Sequence, residues 1–298
     1  MSVRTALGSS LNVPAVCTLV MVMPHRFAKT LAALSLPLSK AGDYYGFSLA
    51  LGSADVTLAT LANAYSALAN GSIARPFFDL ADGPQHVPLA DHRAGSPGTR
   101  VFSPEASFIV TDILADNNAR TRTFGFDSVL ATRSFSAVKT GTSKDMRDNW
   151  AIGFTARYTV GVWVGNADGQ PMWDVSGVTG AAPAWNAIVN YLNRRSDSRT
   201  PQAPPGVVRT NVTYQNDIEP PRGEWFLRGT QMSTAGLTAN AARATRQLNA
   251  DAQTACIGAP TNGTIFALDP DIPPASQRVW FERADSGAPR LAARRQAL

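Results

Sequence analysis

Phe135–Asn166, FSAVKTGTSKDMRDNWAIGFTARYTVGVWVGN, is the stretch that decides the fold. It holds three runs rich in β-branched and aromatic residues, FSAVKTGT, NWAIGFTA and YTVGVWVGN, separated by polar or charged turns. The last two predict an antiparallel hairpin turning at Ala156-Arg157. Helical patterns flank these strands. Within Ser53–Ser72, Val56, Leu58, Leu61, Ala64, Tyr65 and Leu68 recur at helical spacing, and Asn70-Gly71 supplies a stop signal. Ser103–Asn117 offers Ser103 as an N-cap, Pro104 at the first helical position and Glu105 in the first turn. Thr179–Arg195, TGAAPAWNAIVNYLNRR, returns to helix. Helices, then antiparallel strands, then a helix predict an α+β fold whose helices are segregated from an antiparallel sheet.

The bulk properties narrow the function. A chain of 298 residues with 44% hydrophobic residues and a mean hydropathy of −0.09 has enough apolar surface for a core, and its length suggests two domains. The net charge is +5, but the basic residues are spread along the chain and form no block interleaved with aromatics, which argues against nucleic acid. Cys17 and Cys256 are too few and too isolated for a metal site, and both are expected as buried free thiols. His25, His86 and His92 have no acidic neighbours at ligand spacing, and the last two fall in a Gly/Pro/Asp-rich loop, so neither metal nor cofactor is expected.

The apolar run NVPAVCTLVMVMP, Asn12–Pro24, continues at helical spacing into HRFAKTLAALSLPL. We read Val13–Leu34 as a buried helix and turn and not as a signal-peptide core. No run reaches the length of a membrane span. At Ser196 the composition shifts to SDSRTPQAPPGVVRT. This predicts residues 1–195 as the main domain, 196–228 as a Pro-rich linker, and 229–298 as a small partial β-sandwich with Asn-Gly and Pro turns.

Two motifs carry chemistry. Lys139-Thr140-Gly141-Thr142 ends the first strand. Its lysine offers a cation to a carboxylate, and its threonines, two apart, share one face of the strand. Gly141 lets a ligand backbone approach, and the Thr142 amide is suited to an oxyanion. Alone, this motif reads equally well as a polar turn. Ser10-Leu11-Asn12 stands at the mouth of an apolar helix, where alone it reads as a helix cap. Together the two motifs match the Ser-x-Asn and Lys-Thr-Gly elements of serine acyltransferases.

The segments ALGSSLNVPAV, GFSLALGSADVTLATLANAYSALANG, KTGTSKDMRDNWAIGFTARYTVGVWVGN and GAAPAWNAIV resemble the transpeptidase domain of class A penicillin-binding proteins, and EPPRGEWFLRGTQ with NGTIFALDPDIPP resembles the 1C type among them. The resemblance implies a serine β-lactamase/transpeptidase-like α+β fold and a D,D-transpeptidase of cell-wall peptidoglycan synthesis. It assigns Ser10 to proton relay and Asn12 to holding the donor amide and the lysine. Lys139, Thr140, Gly141 and Thr142 become the strand that grips a terminal carboxylate. Stem peptides and β-lactams are the implied ligands, with other cell-wall synthesis proteins as partners, at the periplasmic face of the inner membrane. A membrane anchor is expected only in the full-length protein.

One departure matters. The family's nucleophile lies in Ser-x-x-Lys on a helix, where residues three apart share a face. The chain has four lysines, Lys29, Lys40, Lys139 and Lys144, and only Lys139 has a serine three residues before it, Ser136. On a strand those two residues face opposite ways. The resemblance therefore implies an N-terminally truncated form, inactive on its own. A non-catalytic peptidoglycan- or synthase-binding protein is the alternative. A β-lactamase is disfavoured, because the linker and tail have no place in one.

Overall fold

A computed structural model describes residues 1–75, 98–236, 257–259, 279–283 and 291–293. The chain divides into two compact units, Met1–Thr234 and Ala235–Leu298. The predicted loop with His86 and His92, Cys256 and the NGTIFALDPDIPP segment lie outside the described residues.

The first unit is built on a three-stranded antiparallel sheet of β1 (Ala137–Thr142), β2 (Asp148–Phe154) and β3 (Thr159–Gly165), in that spatial order. Lys139 stands opposite Ile152 and Thr140 opposite Ala151, while Ile152 in turn faces Gly161. The β2–β3 turn centres on Ala156-Arg157 and is closed by the Thr155 N–H donating to the Tyr158 carbonyl at 2.8 Å, as the sequence predicts. Side chains alternate across a strand, so β1 serves two cores. Val138 joins Leu130, Ala151, Val160, Trp185 and Val189 beneath the helix Ala182–Leu192. Ala137 joins Leu114 and Phe154 on the other face, with Tyr65, Leu68 and Val110 packed around them.

The helices before β1 are α1 (Val3–Gly8), α2 (Asn12–Val22), α3 (Pro24–Ala33), α4 (Leu58–Ala69), α5 (Pro104–Ala115) and α6 (Asn117–Phe124), of which α1, α4 and α5 pack on that second face; Ala182–Leu192 is α7. Four of them, α1, α4, α5 and α6, start on a side-chain cap. Ser103 accepts from the Ala106 N–H at 3.1 Å with Pro104 next to it, as expected. Thr57 starts α4 by accepting from the Thr60 N–H, which puts that helix five residues inside the stretch the periodicity suggested. The helix expected from Thr179 is α7, which is preceded by a π-helical turn, Gly177–Ala181.

Three expectations need correction. Val13–Leu34 forms two helices, but Val13, Val20, Met21, Val22 and Met23 are exposed, and of α2 only Leu19 is buried. Apolar residues occur on every side of α2, so no polar face exists to mark the outward one. Cys17 is exposed on that same helix, not buried. Among the described residues no helix is long and apolar enough to cross a membrane, and no His/Cys/Asp/Glu group could hold a metal.

The third concerns the stretch expected as a linker. It carries a hairpin of β4 (Val207–Tyr214) and β5 (Arg222–Leu227), with Val207 opposite Leu227 and Val212 opposite Arg222. Trp225 of this hairpin meets Phe108 of α5 edge to face, with ring centroids 5.2 Å apart. In the second unit the described strands, Ile257–Ala259, Val279–Arg283 and Leu291–Ala293, form an antiparallel sheet with Val279–Arg283 in the middle.

Glu219, in the β4–β5 connection, is buried. Burial alone would raise its carboxyl, but hydrogen bonds from Thr5, Arg222 and Ser2 outweigh that and hold it at about 2. A depressed carboxyl contributes stability that is present above its ordinary value near 4.5 and is lost as pH falls toward 2. Glu219→Gln is therefore expected to lower stability by about 2 kcal/mol at pH 6, with the difference vanishing near pH 2. Urea unfolding across that range measures it, and a pH-independent difference would contradict the assignment.

Candidate functional site

The two sequence motifs meet. Lys139 Nζ donates to Ser10 Oγ at 2.5 Å and to the Thr140 carbonyl at 2.8 Å. The contact joins residues 129 apart in sequence. Local geometry explains how Ser10 gets there. Helix α1 closes with the Ser10 N–H on the Leu7 carbonyl at 3.1 Å and the Leu11 N–H on the Ala6 carbonyl at 3.0 Å. This closing turn needs a residue in the left-handed region, and Ser10 occupies it at φ 57°. That conformation costs a non-glycine residue about 1–2 kcal/mol, so the surroundings must hold it. They do so through α6. A Cβ on Gly8 would lie 2.6 Å from the Ala119 Cβ, which only glycine avoids. Ser9 Oγ donates to the Ala119 carbonyl, and Thr123 Oγ1 donates to the Ser9 carbonyl, each at 2.7 Å.

The cap reading of Ser10 does not hold. Leu11 occupies the N-cap of α2, and no side chain caps that end. The Ser10 hydroxyl is directed at the lysine instead.

Lys139 is half-buried, and its amine is shifted from 10.5 down to about 8. Burial is the larger cause and the positive charge of Arg120 the second. Arg120 is itself buried, and burial lowers it to about 10 against the raising effect of Asp116. Its guanidinium is fixed by Asn117 Oδ1 at 2.7 Å and by the Leu114 carbonyl. The pair has two chemical capacities. Two neighbouring cations attract an anion. An amine near 8 also has roughly a tenth of its molecules neutral at pH 7, enough to pass a proton through Ser10 Oγ. Sequence reasoning missed Arg120, because nothing in NNARTRTF distinguishes it from the exposed Arg122 beside it.

The other predicted residues are placed as follows. Among the described residues β1 is an edge strand, paired on one side with β2. Thr140 and Thr142 share the face opposite Lys139, so the lysine and the threonines converge only at the strand's free edge. Thr142 Oγ1 accepts from the Gly177 N–H at 2.9 Å, so this hydroxyl ties the start of the π-helical turn to β1. Gly141 lies under that turn, its carbonyl close to where a Gly177 side chain would begin. Asn12, first residue of α2, is exposed, and its side chain makes no hydrogen bond to the described residues. Ser136 is buried, and its hydroxyl shares a 2.7 Å hydrogen bond with Thr132 Oγ1, not with Lys139.

Comparison with known proteins bears on the family and the fold. No family model matches the chain. Over 245 residues it is 34% identical to penicillin-binding protein 1C of Escherichia coli K12, covering 78% of this chain and 30% of that protein. It is 27% identical over 198 residues to penicillin-binding protein 1A of Neisseria meningitidis, covering 64% of this chain and 23% of that protein. The chain thus spans a third or less of the length of these curated relatives. Among solved structures, penicillin-binding protein 1A of Haemophilus influenzae superposes with a TM-score of 0.61 at 23% identity, covering 78% of this chain and 40% of that one. PonA1 of Mycobacterium tuberculosis gives 0.53 at 22% identity, covering 68% and 59%. Those two likenesses establish the shared α+β fold, and the sequence match to the 1C protein shows that the chain belongs to the penicillin-binding protein family.

Proposed function

We propose that residues 1–195 belong to a serine-type D,D-transpeptidase domain that acts in peptidoglycan cross-linking at the periplasmic face of the inner membrane. Residues 196–228 carry the β4–β5 hairpin within the same compact unit and would lead into a C-terminal β domain, 229–298. The family reaction is acyl transfer. A serine attacks the D-Ala-D-Ala amide, D-alanine leaves, and an amine of a neighbouring stem peptide takes the acyl group. The observation that carries the reading is the 2.5 Å contact between Ser10 Oγ and Lys139 Nζ beside the free edge of β1. A free edge accepts an extended peptide through its backbone groups. Lys139 and Arg120 supply the positive charge that a terminal carboxylate requires. The Thr140 hydroxyl and the Thr142 amide are assigned to the same ligand, and Asn12 to the donor amide.

The nucleophile is a separate matter. Ser136, the serine with the formal spacing to a lysine, is buried and bonded to Thr132. The chain by itself should therefore bind a donor carboxylate without becoming acylated. Incubation with a fluorescent penicillin followed by a denaturing gel is expected to show no labelled band. A covalent band, whether or not it survives Ser136→Ala, would overturn that expectation. Reversible binding is read by titrating diacetyl-Lys-D-Ala-D-Ala into the labelled chain and following amide shifts in β1. Lys139→Ala should weaken binding at least about tenfold, the size of one charge-assisted hydrogen bond. Unchanged affinity would remove Lys139 from the site.

A further inference from the structure

Ser10 stands at one end of α1, and the other end of that helix is held by a buried ionic cluster. Arg4 is buried and donates to three carboxylates: Nη2 to Asp112 at 2.6 Å, Nη1 to Asp116 at 3.0 Å and Nε to Glu224 at 2.7 Å. Glu224 also accepts from Arg222 at 2.6 Å. Glu219 accepts from the Ser2 N–H, the Ser2 hydroxyl, the Thr5 hydroxyl and Arg222. The first turn of α1 is therefore gripped by the β4–β5 hairpin on one side and by the junction of α5 and α6 on the other.

Asp116 couples this cluster to the site. Its Oδ2 takes Arg4, while its Oδ1 caps α6 by accepting from the N–H groups of Asn118 at 2.9 Å and Ala119 at 3.3 Å. Helix α6 carries Ala119 and Thr123, which seat the Ser9–Ser10 turn, and Arg120, whose charge acts on Lys139. The six residues of α1 span about 9 Å. Over so short and stiff a piece, a shift at Arg4 is delivered to Ser10.

We infer that Arg4 is a positioning residue for Ser10, its cluster with Asp112, Asp116 and Glu224 fixing α1 so that the Ser10 hydroxyl stays on the Lys139 amine. The inference rests on the Ser10–Lys139 site proposed above. A buried ion cluster adds little net stability over an apolar replacement of similar shape, whereas three carboxylates converging on one guanidinium define a position and an angle. The β4–β5 hairpin is then part of the active-site framework and not a spacer.

The test uses the four lysines of the chain, which make the Lys139 ammonium resolvable by NMR of isotopically labelled lysine. In the full wild-type chain Lys139 should titrate near 8. Ser10→Ala, which deletes the bonded hydroxyl, should displace that titration. Arg4→Met and Glu224→Gln should raise it by about one pH unit toward the ordinary lysine value, because a loosened α1 admits water to an amine lowered chiefly by burial. Arg4→Lys should restore part of the shift. Leu36→Ala, which removes a core side chain in another cluster, should lower the melting temperature without moving Lys139. Folded Arg4→Met and Glu224→Gln chains with an unchanged Lys139 titration would overturn the inference and leave the site intact. A wild-type Lys139 that titrates as an ordinary lysine and ignores Ser10→Ala would overturn the site itself. Should Arg4→Met not fold, Glu224→Gln, which keeps shape and hydrogen bonding, decides.

Discussion

Trp185→Ala is expected to lower the stability of the 1–234 unit by about 3–5 kcal/mol, the cost of a fully buried tryptophan removed from a packed core. The indole is wholly buried at the centre of the cluster formed by Val138, Ala151, Val160 and Val189. Its Nε1 donates to the Val160 carbonyl at 3.1 Å, which fixes the ring over the middle of the sheet. β2 is shaped to receive it. A Cβ on Gly153 would come 2.6 Å from Trp185 Cζ2 and closer still to the Ala137 carbonyl. Gly153→Ala should therefore destabilise by about 1–3 kcal/mol through overpacking. Because both changes act on one contact, they should not add. The double variant should lose less than the sum by at least about 0.5 kcal/mol, since removing the indole relieves one of the close approaches of the new methyl. Urea midpoints for the four chains complete the cycle. Strict additivity, or a Trp185→Ala loss below about 1 kcal/mol, would mean that the ring is not the keystone of that face.

The sheet and its covering helices were legible because their signals are local. Alternation in TVGVWVG and the Ser103-Pro104-Glu105 opening of α5 each lie within one element, and both elements form where the pattern puts them. The Ser10–Lys139 pairing was legible for a different reason: two short motifs of one reaction type imply each other, whatever the distance between them. The clamp at Arg4 has neither kind of signal. It joins α1 to residues more than a hundred positions away, through arginine and carboxylate side chains that in sequence look solvated. The hairpin that completes the clamp was hidden by composition. Five prolines in Pro201–Pro221 read as a spacer, although VVRTNVTY between them has the β-branched content of a strand. The outward face of α2 was missed because nearly every position of NVPAVCTLVMV is apolar, and a helix without a polar side does not reveal which side is covered.

Lys139→Met is expected to abolish binding of the peptide carboxylate and, at the same time, to stabilise the fold at pH 7 by about 1 kcal/mol. The two effects have one origin. Lys139 is held half out of water next to the buried Arg120, so its charge is disfavoured in the folded chain and its amine falls to about 8. Methionine has similar length and no charge, and replacing a buried ion by an apolar side chain of like volume is often stabilising. The pH dependence separates this origin from simple packing. Between pH 8 and the ordinary lysine value of 10.5 the unfolded wild-type chain binds more protons than the folded one, so wild-type stability rises with pH across that window. The variant lacks this contribution. Its advantage should be greatest at and below pH 7 and should shrink steadily by pH 10. Tyr65, pushed up by burial to about 12, costs stability above pH 10 in both chains and cancels in the comparison. An advantage that stays constant from pH 7 to 10 would mean that Lys139 carries no unfavourable charge. A methionine variant less stable than wild type at pH 7 would mean that the hydrogen bonds to Ser10 and the Thr140 carbonyl outweigh the cost of burying the cation. The expected result is the opposite: a side chain kept where it weakens the fold, because the anion it is placed to hold must meet a desolvated cation.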